Sequence, residues 1–124
     1  MGRKLLVVDD KREIRLLIRS TLEYEGWDVI EADSGEKGVE AARLNKPELI
    51  IMDLIMPGAL NGIEATRRIK ADPDTAGSKV IMLSGEDIEI RGSALEAGVT
   101  EFIQKPFSPL DLINMIEAMF GKGV

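Results

Sequence analysis

The sequence predicts an α/β domain: a parallel sheet with helices on both faces. Three observations point there. Short apolar runs alternate five times with segments of helical period along the 124 residues. The links between them are mostly short. The apolar runs are continuous rather than alternating, as expected of strands buried on both faces. Alternating elements of this kind wind into a parallel sheet flanked by helices. A chain of this length fits one domain, taken as residues 1–124.

The first run is Leu5-Leu6-Val7-Val8, ended by Asp9-Asp10. Asp10 and Glu13 have capping-box spacing, with Asp in place of Ser or Thr. Ile14, Leu17, Ile18 and Leu22 recur at helical spacing, which predicts a helix over Lys11–Glu25 stopped by Gly26. Asp28–Ala32 reads as a second strand whose polar flanks suit a sheet edge. Asp33 or Ser34 can cap a helix over Gly35–Leu44, and Pro47 closes the link after it. Leu49–Met52 is the third strand and leads directly into Asp53, followed by the turn residues Pro57-Gly58. Asn61 and Glu64 open a helix over Gly62–Ala71, broken at Asp72-Pro73-Asp74. Lys79–Leu83 is the fourth strand, ended by Ser84-Gly85. A weaker helix is expected over Asp87–Ala97, with Gly92 inside it and Gly98 at its end. Glu101–Gln104 is the fifth strand, and Lys105-Pro106 follows at once. Ser108, with Pro109 in the first helical position, opens a last helix with an apolar stripe of Leu112, Ile113, Ile116, Met119 and Phe120. Residues 121–124 read as a frayed tail. Met52, Met56, Met82, Met115 and Met119 are most simply core filler.

Composition excludes several functions. At 44% apolar residues the chain can build a core. A net charge of −6 argues against direct nucleic-acid binding, which needs a basic face. The absence of cysteine removes disulfides, thiol nucleophiles and thiolate metal sites. The absence of histidine removes a Ser-His-Asp triad, a histidine-ligated metal and histidine phosphorylation within the chain. The N-terminal apolar run is too short for a signal peptide, and no run approaches membrane-span length. A cytoplasmic location is the expectation.

In a parallel sheet the C-terminal ends of all strands share one edge, where ligands bind. Here that edge receives Asp9 and Asp10, Asp53, Ser84 and Lys105, from the first, third, fourth and fifth strands. If the first and third strands are neighbours, three carboxylates converge, and like charges at short range raise one another's pKa unless a cation joins them. A few hard oxygen ligands suit Mg²⁺, which takes one or two carboxylates plus a phosphate. A carboxylate such as Asp53 can also attack phosphorus, with Lys105 as a point charge and Ser84 as a hydrogen-bond donor to the phosphoryl oxygens.

Asp9-Asp10, Asp53, Met56-Pro57, Ser84, Ala97-Gly98 and Lys105-Pro106-Phe107 together resemble the motifs of response-regulator receiver domains, the CheY-like group, over essentially the whole chain. Each motif is weak alone. Their specificity lies in falling at the right strand ends in the right order. The resemblance implies a flavodoxin-like (βα)5 fold with strand order 2-1-3-4-5. It implies that Asp53 is the phosphoacceptor for a phosphohistidine on a sensor histidine kinase or phosphotransfer protein. It implies Mg²⁺ on Asp10, Asp53 and the backbone carbonyl of Ile55, assisted by Asp9. Lys105 would contact the phosphoryl group, with a cis peptide bond to Pro106. Ser84 and Phe102 would act as the switch pair, and residues 87–120 would carry the surface for an output partner. The domain would catalyse only its own phosphorylation and dephosphorylation.

Three features depart from the family pattern. The loop Gly58-Ala59-Leu60-Asn61 is one residue longer than usual, which bears on metal affinity. Gly85 replaces the usual alanine, which opens the site to water. The stretch from Ser84 to Lys105 is one residue shorter, and its helix is expected to be the most mobile part of the domain. Three other functions compete. A Mg²⁺-dependent phosphohydrolase usually carries a second acid two residues past its nucleophile, where this chain has Ile55. A flavin carrier would need Gly, Ser and Thr donors after the first strand, where this chain has two aspartates that repel phosphate. An adaptor receiver that is never phosphorylated would not need the full set of site residues.

Overall fold

The computed structural model describes residues 3–85 and 90–121. The five apolar runs form β1 (Lys4–Val8), β2 (Asp28–Ala32), β3 (Leu49–Asp53), β4 (Lys79–Ser84) and β5 (Glu101–Gln104). They pair in parallel in the order β2-β1-β3-β4-β5. The helices between and after them are α1 (Arg12–Tyr24), α2 (Gly35–Asn45), α3 (Gly62–Ala71), α4 (Arg91–Ala97) and α5 (Pro109–Phe120).

The continuous apolar runs have a physical cause. Every residue of β3 is buried, because both of its faces are covered. Alternate strand residues enter two separate cores. Leu6, Val8, Ile50, Met52, Val80 and Met82 pack with Ala42 of α2, Ile63, Ala65 and Ile69 of α3, and Ala94 and Ala97 of α4. Leu5, Val7, Leu49, Ile51, Ile81 and Leu83 pack with Ile18 and Leu22 of α1 and Leu112 and Ile116 of α5. Each large aliphatic side chain taken from water contributes about 1.5–3 kcal/mol, so these two layers dominate the stabilisation. β2 lies at one edge of the sheet, as its polar flanks suggest.

Caps set the helix starts. Ser34 accepts from the amide of Lys37, and Asn61 accepts from the amide of Glu64. Ser108 and Asp111 form a complete capping box, with Pro109 in the first turn. α1 corrects the sequence reading. It begins at Arg12 with Lys11 as its cap residue and no side-chain cap bond, so Asp10 and Glu13 form no capping box. Asp9 accepts from the Lys11 amide instead, at 2.8 Å, and the helix starts one residue later than an Asp10 cap would place it. Leu17, one of the apolar residues at helical spacing, is 38% exposed. The stripe facing the sheet runs through Ile18 and Leu22, and Leu17 lies a quarter turn round from it.

The helix expected from Asp87 is described only from Arg91, since residues 86–89 lie outside the described residues. Its described part has seven residues, no side-chain cap and Gly92 in its first turn. Short uncapped helices carrying glycine open most readily. Amide hydrogen exchange is therefore expected to be faster in Arg91–Ala97 than in α1, and slower exchange in α4 would contradict this. The expected fraying of 121–124 lies largely outside the described residues. No helix among the described residues is long and apolar enough to cross a membrane.

Candidate functional site

The sheet order places β1 beside β3, so the residues at their C-terminal ends meet. Asp53 is the last residue of β3 and is 3% exposed. Asp9 follows β1 and is fully buried, whereas Asp10 next to it is exposed. One carboxylate oxygen from each of Asp9, Asp10 and Asp53 lies within 4.8 Å of the others. Lys105 reaches this cluster from the far side of the sheet. Its Nζ donates to Asp53 Oδ1 at 2.9 Å and lies 3.5 Å from Asp9 Oδ2. The Lys105–Pro106 peptide is cis.

Electrostatics follow from this crowding. Burial pushes the Asp53 carboxyl above the ordinary carboxylate range, the charges of Asp9 and Asp10 push it further, and the ammonium of Lys105 only partly offsets them. Burial pulls the Lys105 ammonium down, but its bonds to Asp53 and the charge of Asp9 outweigh that and hold it above the usual lysine range. Among the described residues, one ammonium lies against this cluster of three acids, in contact with Asp53 and Asp9. Among the described residues, too, Asp53 Oδ2 is buried without a hydrogen-bond partner. Such orphan oxygens are costly and mark places where an ion, a water or a ligand is wanted. Hard carboxylate oxygens, an excess of negative charge and an uncommitted lone pair fit a small divalent cation.

The remaining predicted residues lie around this cluster. Ser84 ends β4, one residue beyond the register partner of Asp53. Its carbonyl accepts the amide of Lys105 at 2.8 Å, which fixes where the lysine leaves the sheet. Among the described residues, a Cβ at Gly85 would meet no atom within 4 Å. Phe102 pairs with Met82 in β5, on the sheet face that Ser84 shares by strand alternation. It is half-buried, and the Arg91 guanidinium lies 5.1 Å from its ring centroid. Ile55 sits on the loop after β3 with its side chain 70% exposed. The long loop is seated on α2: Leu60 is buried against Gly35, and the Ala59 amide donates to Glu36 Oε2 at 3.0 Å.

Two groups of residues were missed from the sequence. By its sequence Gly62 is only a helix start. A Cβ there would overlap the carbonyl oxygen of Asp53 and approach Leu54 Cα at 2.9 Å. Gly62→Ala is therefore expected to displace the backbone of Asp53, destabilising the chain by about 1–3 kcal/mol, the usual range for overpacking. Urea denaturation measures this, and an unchanged midpoint would refute it. The other missed group is Arg15, which donates to the carbonyl of Asp9 at 2.9 Å and to Glu31 at 3.0 Å. Its signal was available, since an arginine three residues before Ile18 and seven before Leu22 falls on the buried stripe.

Residues 5–117 match the response regulator receiver domain family. The chain belongs to that family. The receiver domain is 38% identical to the phosphate regulon transcriptional regulatory protein PhoB of Pseudomonas aeruginosa, covering 98% of this chain and 53% of that protein. It thus spans about half the length of that curated relative. It is 33% identical to protein PilH of the same organism, covering 95% of this chain and 98% of PilH. Among solved structures, the chemotaxis response regulator CheY4 of Vibrio cholerae superposes with a TM-score of 0.91 at 26% identity, over 97% of this chain and all of that one. The receiver domain of a sensor histidine kinase from Pseudomonas aeruginosa, solved with magnesium coordinated in its active-site cleft, gives 0.87 at 27% identity over 98% of this chain and all of that one. The fold and the family reading from sequence therefore stand, and with them a role in two-component phosphoacceptor signalling rather than classical enzymology.

Proposed function

We propose that Asp53 accepts a phosphoryl group from a phosphohistidine on a sensor histidine kinase or phosphotransfer protein, in the cytoplasm, and that the new charge switches a partner-binding surface. The observation that carries this reading is the meeting of three carboxylates with Lys105 at one sheet edge, where Asp53 Oδ2 is buried and has no partner among the described residues. In the transfer, a carboxylate oxygen of Asp53 forms a bond to phosphorus as the N–P bond of the donor breaks. The electron pair of that bond returns to the imidazole nitrogen. The chain itself needs no proton shuttle, which agrees with its lack of histidine.

Asp10 and Asp53 would hold Mg²⁺ directly with the carbonyl of Ile55, and Asp9 would assist through water. The ion, when bound, offsets the negative charge of the transferring group. Lys105 already faces Asp53 and would move its ammonium to a phosphoryl oxygen. Ser84, at the adjacent strand end, would donate a hydrogen bond to another. Its movement would let Phe102 turn inward on the same face of the sheet, away from Arg91. The output surface would then be α4, β5 and α5. Phosphorylation acts here as a local charge change with a distant readout.

Incubation with Mg²⁺ and acetyl phosphate, followed by intact mass and site mapping, tests this reading. One added phosphoryl group on Asp53 is expected. No uptake, or uptake at another residue, would overturn it. Turnover of free phosphate esters would favour a hydrolase instead.

A further inference from the structure

The turn between β1 and α1 is held in a way that the acidic cluster does not itself require. The Asp9 amide donates to the carbonyl of Ala32 at 3.1 Å. The Asp9 carbonyl accepts from Arg15 Nη1 at 2.9 Å. Arg15 Nε in turn donates to Glu31 Oε1 at 3.0 Å. The other oxygen of Glu31 accepts from Arg19 Nη1 at 2.7 Å, and Arg19 also bonds Glu23. Both backbone groups of Asp9 are thus tied to the end of β2, one directly and one through the guanidinium. Arg15 is the more enclosed of the two arginines, with a side chain 16% exposed against 42% for Arg19.

We infer that Arg15, clamped by Glu31, is a positioning residue that fixes the Asp9-Asp10 turn so that the exposed Asp10 carboxylate is presented for a divalent cation. The inference rests on the proposed function. Asp10 needs such help because its neighbours differ so much from it. Asp9 is buried and bonded through its amide, its carbonyl and Oδ1. Asp10 is exposed, and its direction depends on the backbone that carries it. A planar guanidinium can bridge a carbonyl and a carboxylate at fixed angles, whereas a lysine ammonium is a point charge that cannot hold the same fork.

A charge-based account predicts the opposite sign. A positive charge beside a cation site repels the ion, so removing Arg15 would tighten binding if charge alone mattered. The clamp predicts looser binding. Mg²⁺ titration by calorimetry, with amide chemical shifts of residues 9–11 followed in parallel, separates the two. Arg15→Ala and Arg15→Lys are each expected to weaken Mg²⁺ binding about tenfold, the lower end for partners that orient metal ligands. Arg19→Ala removes the same charge from the same helix without touching Asp9. It is expected to stay within about twofold of wild type, because its charge is exposed and screened. At saturating Mg²⁺ the Arg15 variants should regain the wild-type rate of phosphorylation from acetyl phosphate, since the clamp acts on ion binding. Should Arg15→Ala not fold, Arg15→Lys keeps the charge and the aliphatic stem and still decides the matter. Arg15→Lys binding Mg²⁺ as tightly as wild type, or Arg15→Ala binding more tightly, would overturn the inference alone. A wild-type chain that binds no divalent cation would overturn the proposed function and this inference with it.

Discussion

Asp53→Asn is expected to take up no phosphoryl group from acetyl phosphate while becoming more stable than wild type in the absence of divalent cations. The first effect follows from chemistry: an amide is not a nucleophile of carboxylate strength, and no other acid of the cluster ends β3. The second follows from the raised carboxyl of Asp53, whose burial and acidic neighbours disfavour its charged form. A carboxyl group whose folded-state pKa is raised contributes its full stability below the unfolded value and loses it as pH rises through the folded value. At neutral pH wild type carries that loss, and the neutral amide does not. The gain should be on the order of 1 kcal/mol, as when buried charges are relieved. Thermal melts in a chelator should show Asp53→Asn above wild type at neutral pH, with the gap closing as pH falls through the carboxylate range. Added Mg²⁺ should reverse the order. At a free concentration a hundred times its dissociation constant, an ion bound to wild type adds about 2.7 kcal/mol. A variant that melts below wild type in chelator would show that the acids are not under strain.

Lys105→Ala is expected to be the most destabilising change at the site without Mg²⁺. It removes the ammonium that contacts Asp53 and Asp9 and leaves two buried carboxylates beside a third. Breaking a buried ion pair costs about 3–5 kcal/mol. Lys105 is partly exposed, so water screens some of this, and a loss of about 2 kcal/mol is expected. The pH dependence has its own sign. Because the Lys105 ammonium is held above the usual lysine range, its stabilisation is complete below the ordinary lysine pKa and is lost only as pH rises through the raised value. The difference between wild type and variant should therefore persist across neutral pH. Mg²⁺ should stabilise the variant more than wild type, since the ion then meets three acids with no ammonium among them. Equal Mg²⁺-induced shifts in the two proteins would refute this. Phosphorylation should also slow in Lys105→Ala, because the phosphoryl oxygens lose their point charge.

Much of this domain was legible one segment at a time. The alternation of apolar runs and helical periods located the ten elements of the described residues, and the acid, hydroxyl and lysine following successive runs fell on the shared sheet edge. These features are local: a strand, a cap or a helical stripe is written in five to fifteen neighbouring residues. The strand order was reached only through the family resemblance, because periodicity does not say which strands touch.

The tertiary structure decided everything that depends on residues far apart in sequence. It turned Asp9 inward to its own turn and to Lys105, 96 residues away, and left Asp10 without the capping role its spacing suggested. It exposed Leu17, because the sheet accepts only a narrow stripe of α1. It gave Gly62 its importance, as the place where α3 lies against the backbone of Asp53. It joined Arg15 to Glu31 across two elements. The reason is geometric. Local sequence sets which elements form and which face of each is apolar, but the register between strands sets which charges share a site.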